Sequence, residues 1–146
     1  MSRNEHETSV ADFMYKHAAE YSLDKEEMYL LGLLHDVGCV NGEKKGHEQR
    51  GAKMLKEKIG VTNPHVLWCI EHHNDFIPHF TWSIDRHRKH FLLLKADMSI
   101  DSYGNEVGYK KRLKDIMKRY GEDSDTYKRC LSIVNWLKKV ESNRIC

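Results

Sequence analysis

The amino-acid sequence predicts an all-α protein, a single helical bundle of about seven helices, on three observations. Apolar residues recur three and four apart along most of the chain, and β-branched stretches are few. Only two prolines interrupt it, Pro64 and Pro78. Its 146 residues suit one compact domain spanning 1–146, with one core and no room for a second. With 40% hydrophobic and 32% charged residues, the composition is that of a folded chain rather than a disordered one.

From about Asn4 to Tyr21, the residues Val10, Phe13, Met14 and Tyr21 form one helical stripe, with His6 and His17 on it. Ser22 to Asp24 breaks the pattern, and Asp24 is a natural N-cap for a second helix with Glu26 and Glu27 in its first turn. That helix runs through Met28, Leu30, Leu31 and Leu34 and is expected to stop near Gly38. After a short loop, Asn41 to Gly46, a third helix places His47, Gly51, Met54 and Leu55 at i, i+4, i+7 and i+8 and ends by Gly60. Asn63-Pro64 opens a fourth, carrying Val66, Leu67, Ile70 and His73 before Asn74 and Pro78 end it. An aromatic-rich loop, Asp75 to Ser83, leads to a long fifth helix, about Ile84 to Ser102, with Leu93, Leu94, Asp97 and Ile100 on one stripe. Two more close the chain, about Val107 to Tyr120 and Ser124 to Val140, the latter presenting Tyr127, Leu131, Val134 and Leu137.

The net charge of +2 exerts no strong pull towards nucleic acid or an anionic membrane. It is unevenly spread: from Val107 onward there are 11 basic against 5 acidic residues, while the first 106 hold 13 against 17. This basic C-terminal third reads first as a solvated helix face. The longest uncharged apolar stretch, Met28 to Leu34, is seven residues, and roughly 18 are needed to cross a bilayer. The N-terminus lacks the apolar run of a secretory signal. Four cysteines, Cys39, Cys69, Cys130 and Cys146, form no Cys-x-x-Cys pair, which argues against a zinc ribbon or disulfide scaffold and fits a cytoplasmic protein. Ten histidines are many for this length, and imidazole is both a metal ligand and a general acid or base.

The sharpest feature is His35-Asp36, closing an otherwise apolar helix in Leu33-Leu34-His35-Asp36-Val37-Gly38. An ionisable pair beside a leucine-rich face is costly unless a partner or a metal compensates it. Neighbours on a helix point about 100° apart, but at a fraying C-terminal turn they can converge. His6, His47, His73 and Asp97 each sit on the core-facing stripe of a different helix. Singly, each is explained by a hydrogen bond in the core. Together, five helices each supplying a ligand-type residue point to a metal centre, because bundles build such sites from inward-facing side chains. His17 shares the first helix's stripe and is read as structural.

The order His6 … His35-Asp36 … His47 … His73 … Asp97 resembles the HD-domain superfamily of metal-dependent phosphohydrolases over roughly residues 3 to 102. The flanking wording is close: His6-x-x-x-Val10-Ala11, Leu-Leu-His35-Asp36-Val-Gly, His47-x-x-x-Gly51-Ala52, Ile70-x-x-His73 and Lys95-Ala96-Asp97. About 103–146 carries no family motif. The resemblance implies that His6, His35, Asp36 and Asp97 suffice for a mononuclear site, and that the additional His47 and His73 belong to a dinuclear subclass. That subclass includes bacterial diadenosine-tetraphosphate hydrolases and cyclic-di-GMP phosphodiesterases. The latter carry a Gly-Tyr-Pro segment after their histidine pair, and here His73-Asn74-Asp75-Phe76-Ile77-Pro78 stands instead, which argues against that activity. His73 is taken as the ligand over His72, which is open to two readings, a further ligand or a phosphate-binding neighbour.

The expected activity is hydrolysis of a nucleotide or other small phosphoester by a metal-activated hydroxide, with His35, Asp36, Lys95 and His72 in the catalytic set. Two divalent ions against Asp36 and Asp97 leave about two positive charges, which attract an anion and lower the pKa of water from 15.7 towards about 7. Imidazole and carboxylate donors suit Mn, Fe, Ni, Co or Zn, and the resemblance favours iron or manganese. Lys95, His72, His79 and the Lys44-Lys45 pair are candidates to neutralise phosphate charge, Lys95 foremost because the family often keeps a basic residue near its last Asp. His65, His87 and His90 are expected at the surface, and Arg86-His87-Arg88-Lys89 as a solvated face. Trp68, Trp82 and Trp136 are expected in the core or at a pocket rim, and Cys39 as a small buried hydrophobe. Specificity is expected from the loop Asp75 to Ser83 and the C-terminal helices. Two other functions fit the same ligands: a mixed-valence diiron oxygenase, which a minority of HD proteins resemble, and a nucleotide-sensing module without catalysis.

Overall fold

The computed structural model describes residues 3–36, 46–60 and 63–145. Among the described residues seven α-helices run in the order α1 (Arg3–His17), α2 (Lys25–Leu34), α3 (His47–Met54), α4 (Pro64–Glu71), α5 (Asp85–Asp97), α6 (Tyr109–Tyr120) and α7 (Asp125–Ile145). A 3-10 turn, Ala18–Tyr21, extends α1, and a wider π-type turn, Leu55–Ile59, extends α3. Among the described residues the one β pairing is an isolated antiparallel bridge, Ile100 with Glu106. The architecture is all-α, as expected. Gly38, Cys39, the Lys44-Lys45 pair and Cys146 lie outside the described residues.

Two helix starts are fixed by their caps. The Asp24 carboxylate accepts from the Glu27 N–H at 2.8 Å, and the Asn63 side chain accepts from His65 N–H at 2.9 Å, with Pro64 at the first position where no N–H is needed. Helices α1 and α2 pack so closely that a Cβ on Gly32 would stand 2.9 Å from the Ala11 Cα. Helix α5 is the central element, with Phe91, Leu92, Leu93 and Leu94 buried in succession against α1, α2, α4 and α7. A turn apolar on all sides is one that other helices surround. Met14, Met28, Leu31, Leu55, Ile70, Ile133 and Leu137 complete one continuous cluster around it.

Several expectations are corrected. Helix α5 stops at Asp97 rather than Ser102, because Ile100, though on the apolar stripe, leaves the helix to pair with Glu106. The turn that follows is held by Asp101, whose side chain accepts from the Tyr103 and Asn105 N–H groups, both at 2.9 Å. Helix α7 continues past Val140 to Ile145. Leu30 and Leu131 face outward, on the flanks of their stripes. His90 is fully buried, not at the surface, and its Nε2–H donates to the His72 carbonyl at 2.8 Å. The run Arg86 to Lys89 is a set of staples rather than a solvated face. Lys89 is buried and pairs with Glu27 and with Asp85, Arg88 donates to the Tyr21 and Trp82 carbonyls, and Arg86 lies over the Trp68 ring. The loop Asp75 to Ser83 packs inward: Phe80 and Trp82 meet Phe91, and the Trp136 indole N–H donates to the Ile77 carbonyl at 2.9 Å.

The 98–108 segment rests on α1 through Gly104. Its φ is +87°, and a Cβ there would lie 2.7 Å from the Glu5 carbonyl oxygen and 2.9 Å from Ser9 Oγ. Gly60 also has a positive φ, +82°, but faces open space. Gly60→Ala is therefore expected to cost about 1 kcal/mol of backbone strain, whereas Gly104→Ala adds an overpacking penalty of about 1–3 kcal/mol; urea unfolding of the two variants measures the difference. A second expectation concerns pH. Burial pushes the His90 imidazole down to about 4 from its usual 6.5, so between these values the unfolded chain binds a proton that the folded chain refuses. Stability then falls as pH drops through that window, by about 1.4 kcal/mol per unit from this group, and His90→Gln should flatten that part of the profile.

Candidate metal centre

All the candidate ligands come from helix ends at one end of the bundle. His6 is in the first turns of α1, His35 and Asp36 follow the last residue of α2, and His47 opens α3. His73 lies two residues beyond α4, and Asp97 is the last residue of α5. Three of these ends are helix C-termini, where the partial negative charge of the backbone favours cations. The structure brings the six side chains together. His6 Nε2 is 2.8 Å from Asp97 Oδ1, and His35 Nε2 is 3.6 Å from the same oxygen. Asp36 Oδ2 lies 3.2 Å from His35 Nε2. Asp36 Oδ1 lies 3.1 Å from His47 Nε2 and 3.2 Å from His73 Nε2. The His47 and His73 Nε2 atoms are 2.8 Å apart.

The second nitrogen of each histidine decides what the first can do. Nδ1–H of His6 donates to the Asp101 carbonyl at 2.9 Å, that of His35 to Gly32 at 2.6 Å, and that of His73 to Ile70 at 2.7 Å. A carbonyl can only accept, so these tethers place the proton on Nδ1 and leave the Nε2 lone pair facing the cluster. His47 Nδ1 is held the same way by the Glu48 carboxylate at 2.9 Å. Lone pairs of nitrogen and oxygen about 3 Å apart repel unless a proton or a cation stands among them. His35 Nε2 is wholly buried, and its polar neighbours are the Asp36 and Asp97 carboxylate oxygens at 3.2 and 3.6 Å.

The ligand atoms fall into two sets within 4.8 Å: His6, His35 and Asp97, and Asp36, His47 and His73. Asp36 touches both. Burial works against ionisation of its carboxyl, but the positive charge of His35 and hydrogen bonds from the His35, His47 and His73 rings, in their protonated forms, hold it well below the usual range. Asp97 is held down against burial in the same way by His35 and His6, and the two carboxylates raise the proton affinity of His35 despite its burial. The field that favours a proton there favours a metal cation equally. The donor set, imidazole nitrogen and carboxylate oxygen with oriented second nitrogens, fits a divalent transition metal.

The cluster forms part of the wall of a cavity of about 530 Å³, completed by α6 and the first turns of α7. That size holds a nucleotide-sized molecule. Of the other expected residues, Lys95 is directed elsewhere: its Nζ pairs with Glu141 of α7 at 2.6 Å, and Glu141 also accepts from the Tyr109 hydroxyl. A second helix claims its charge. His72 is also outside the cavity lining; α4 ends there, turning its ring onto Trp68 and towards Asp75. His79 is exposed and outside the lining, and His17 stacks on Phe13, away from the cluster.

The sequence reading missed Glu48, which braces His47, and the arginines of the cavity. Arg112 Nε–H donates to the Asp97 backbone carbonyl at 3.1 Å, and Arg119 and Arg129 share the lining. The available signal was the spacing Arg112, Ile116, Arg119, Tyr120, one helical face at i, i+4, i+7 and i+8. No curated protein and no solved structure matches the chain. The family model of the HD domain matches residues 3–138, running from α1 through most of α7 and so past the last expected motif at Asp97. With its paired His35-Asp36 at the centre of the ligand cluster, the chain belongs to the HD domain family.

Proposed function

We propose that this chain is a dinuclear phosphohydrolase acting on a nucleotide or other small phosphoester. The family consists mostly of metal-dependent hydrolases, and one observation carries the finer reading: Asp36 presents one oxygen to each of two histidine-containing sets at the edge of a ligand-sized cavity. His6, His35 and Asp97 would hold one ion, His47 and His73 the other, with Asp36 between them. A pair of divalent ions supplies Lewis acidity, making hydroxide available near neutral pH and offsetting charge on the phosphoryl oxygens. Iron or manganese is the pairing we favour.

The chain's own residues do the rest. The Nδ1 tethers on His6, His35 and His73 keep the ring planes fixed, so the ligand geometry exists before substrate arrives. Arg112, bonded to the Asp97 carbonyl and to Asp115 at 3.1 Å, ties the end of α5 to α6. Hydrolysis uses one water: a new P–O bond forms, the bond to the leaving oxygen breaks, and that oxygen departs with a proton.

Elemental analysis of the purified protein is expected to give about two transition-metal ions per chain, with loading raising the melting temperature, since ions that bind only the folded state stabilise it. His47→Ala with His73→Ala should retain about one ion, and Asp36→Ala or His35→Ala should abolish turnover across a panel of nucleotides and phosphomonoesters. One ion in the unaltered chain, or undiminished turnover in Asp36→Ala, defeats the dinuclear reading.

A further inference from the structure

The cavity wall contributed by α6 and α7 is cationic, and the ligand cluster does not use most of that charge. Helix α6 carries six basic residues against one acidic, Asp115. Asp115 orients two of them, accepting from Arg112 at 3.1 Å and from Arg119 Nε at 3.4 Å, with the Ser102 hydroxyl donating to it at 2.7 Å. Arg112 donates its Nε–H to the Asp97 backbone carbonyl, and its other terminal nitrogen lies 3.9 Å from the Asp97 carboxylate. Among the described residues Arg119 hydrogen-bonds through its Nε edge alone, beside the Tyr103 ring. Arg129, one turn into α7, makes no ion pair among the described residues. Asp125, exposed, is the acidic residue that α7 contributes to this lining. Ile116 and Tyr120 share that stripe of α6 with Arg112 and Arg119, so the wall combines cationic and apolar surface.

A substrate with a single phosphate would place that group at the ligand cluster and give these arginines nothing to bind. Guanidinium is suited to phosphate through its planar pair of N–H donors, and two exposed arginines facing one cavity repel each other unless an anion joins them. We propose that Arg119 and Arg129 hold a non-scissile phosphate, so that the preferred substrates carry at least two phosphate groups on one small molecule. This rests on the phosphohydrolase reading and narrows its substrate class.

Two measurements on the metal-loaded protein test it. The first is calorimetric binding of methylenebisphosphonate, which cannot be hydrolysed, compared with orthophosphate. The second is kcat/KM for a nucleoside diphosphate relative to its monophosphate. The unaltered chain should bind the bisphosphonate about tenfold or more tighter, and Arg119→Ala with Arg129→Ala should lose that margin and lower the kcat/KM ratio about tenfold, mainly through KM. Lysine at both positions should restore part of the effect. Should the double variant fail to fold, Arg129→Ala alone serves, since no ion pair among the described residues is lost. Turnover of phosphoesters with an unchanged ratio overturns this proposal and leaves the hydrolase reading standing. Arginine-dependent bisphosphonate binding with no turnover of any phosphoester does the reverse. Absence of preferential bisphosphonate binding overturns the proposal in either case.

Discussion

Electrostatic frustration at one end of the bundle organises this structure. Two carboxylates and four imidazole nitrogens are directed at a small volume, and carbonyl or carboxylate partners fix the far nitrogen of each ring. An apolar interior does not tolerate such a gathering of lone pairs, because each would rather face water or a proton. Positive charge at the centre removes the conflict at once. Asp36 is where the two halves of that conflict meet, and its position past the last residue of α2 lets adjacent His35 and Asp36 converge on one place.

The rest of the fold explains how so costly an arrangement is held. None of the six ligands sits mid-helix, so no helix needs to bend to deliver one. Helix α5 is sheathed by its neighbours and presents Asp97 at a fixed height. Gly104 lets the following turn lie directly on α1, and that turn supplies the Asp101 carbonyl that orients His6. A backbone position with no chemistry of its own thereby helps aim a ligand on another helix. Apolar burial, at about 25 cal/mol per Å², supplies the stability against which the polar cluster is set.

Much of this was legible in the sequence, and the reasons are physical. The caps at Asp24 and Asn63-Pro64 declare helix starts locally, and His6, His47, His73 and Asp97 each announced a polar group on an apolar stripe. What periodicity could not supply was the identity of each residue's partner. Lys95 precedes Asp97 by two residues, yet it points to Glu141 on a helix 46 residues away. Lys89 and His90 look like surface residues within Arg86–His90 because their neighbours are charged, and only the packing of α2 and α4 beside α5 buries them. Ile100 continues a helical stripe in sequence but is claimed by Glu106 across a turn.

The basic C-terminal third is the instructive case. As a sum over residues it is indistinguishable from a solvated face, since most surface helices carry lysine and arginine. Its meaning depends on which charges are neutralised within the fold and which are turned to the cavity. Lys110, Lys111, Lys114 and Lys118 are exposed on α6, whereas Arg112 and Arg119 fall on the stripe that Ile116 and Tyr120 also occupy. The split is by residue type as well as by face: lysines off the cavity, where strong hydration suits an ammonium, and arginines along its lining, where a flat and more weakly hydrated cation can meet an anion. On the proposed reading, the ligand cluster would set the type of bond that is cleaved, and the helices beyond Asp97 would select the molecule that carries it.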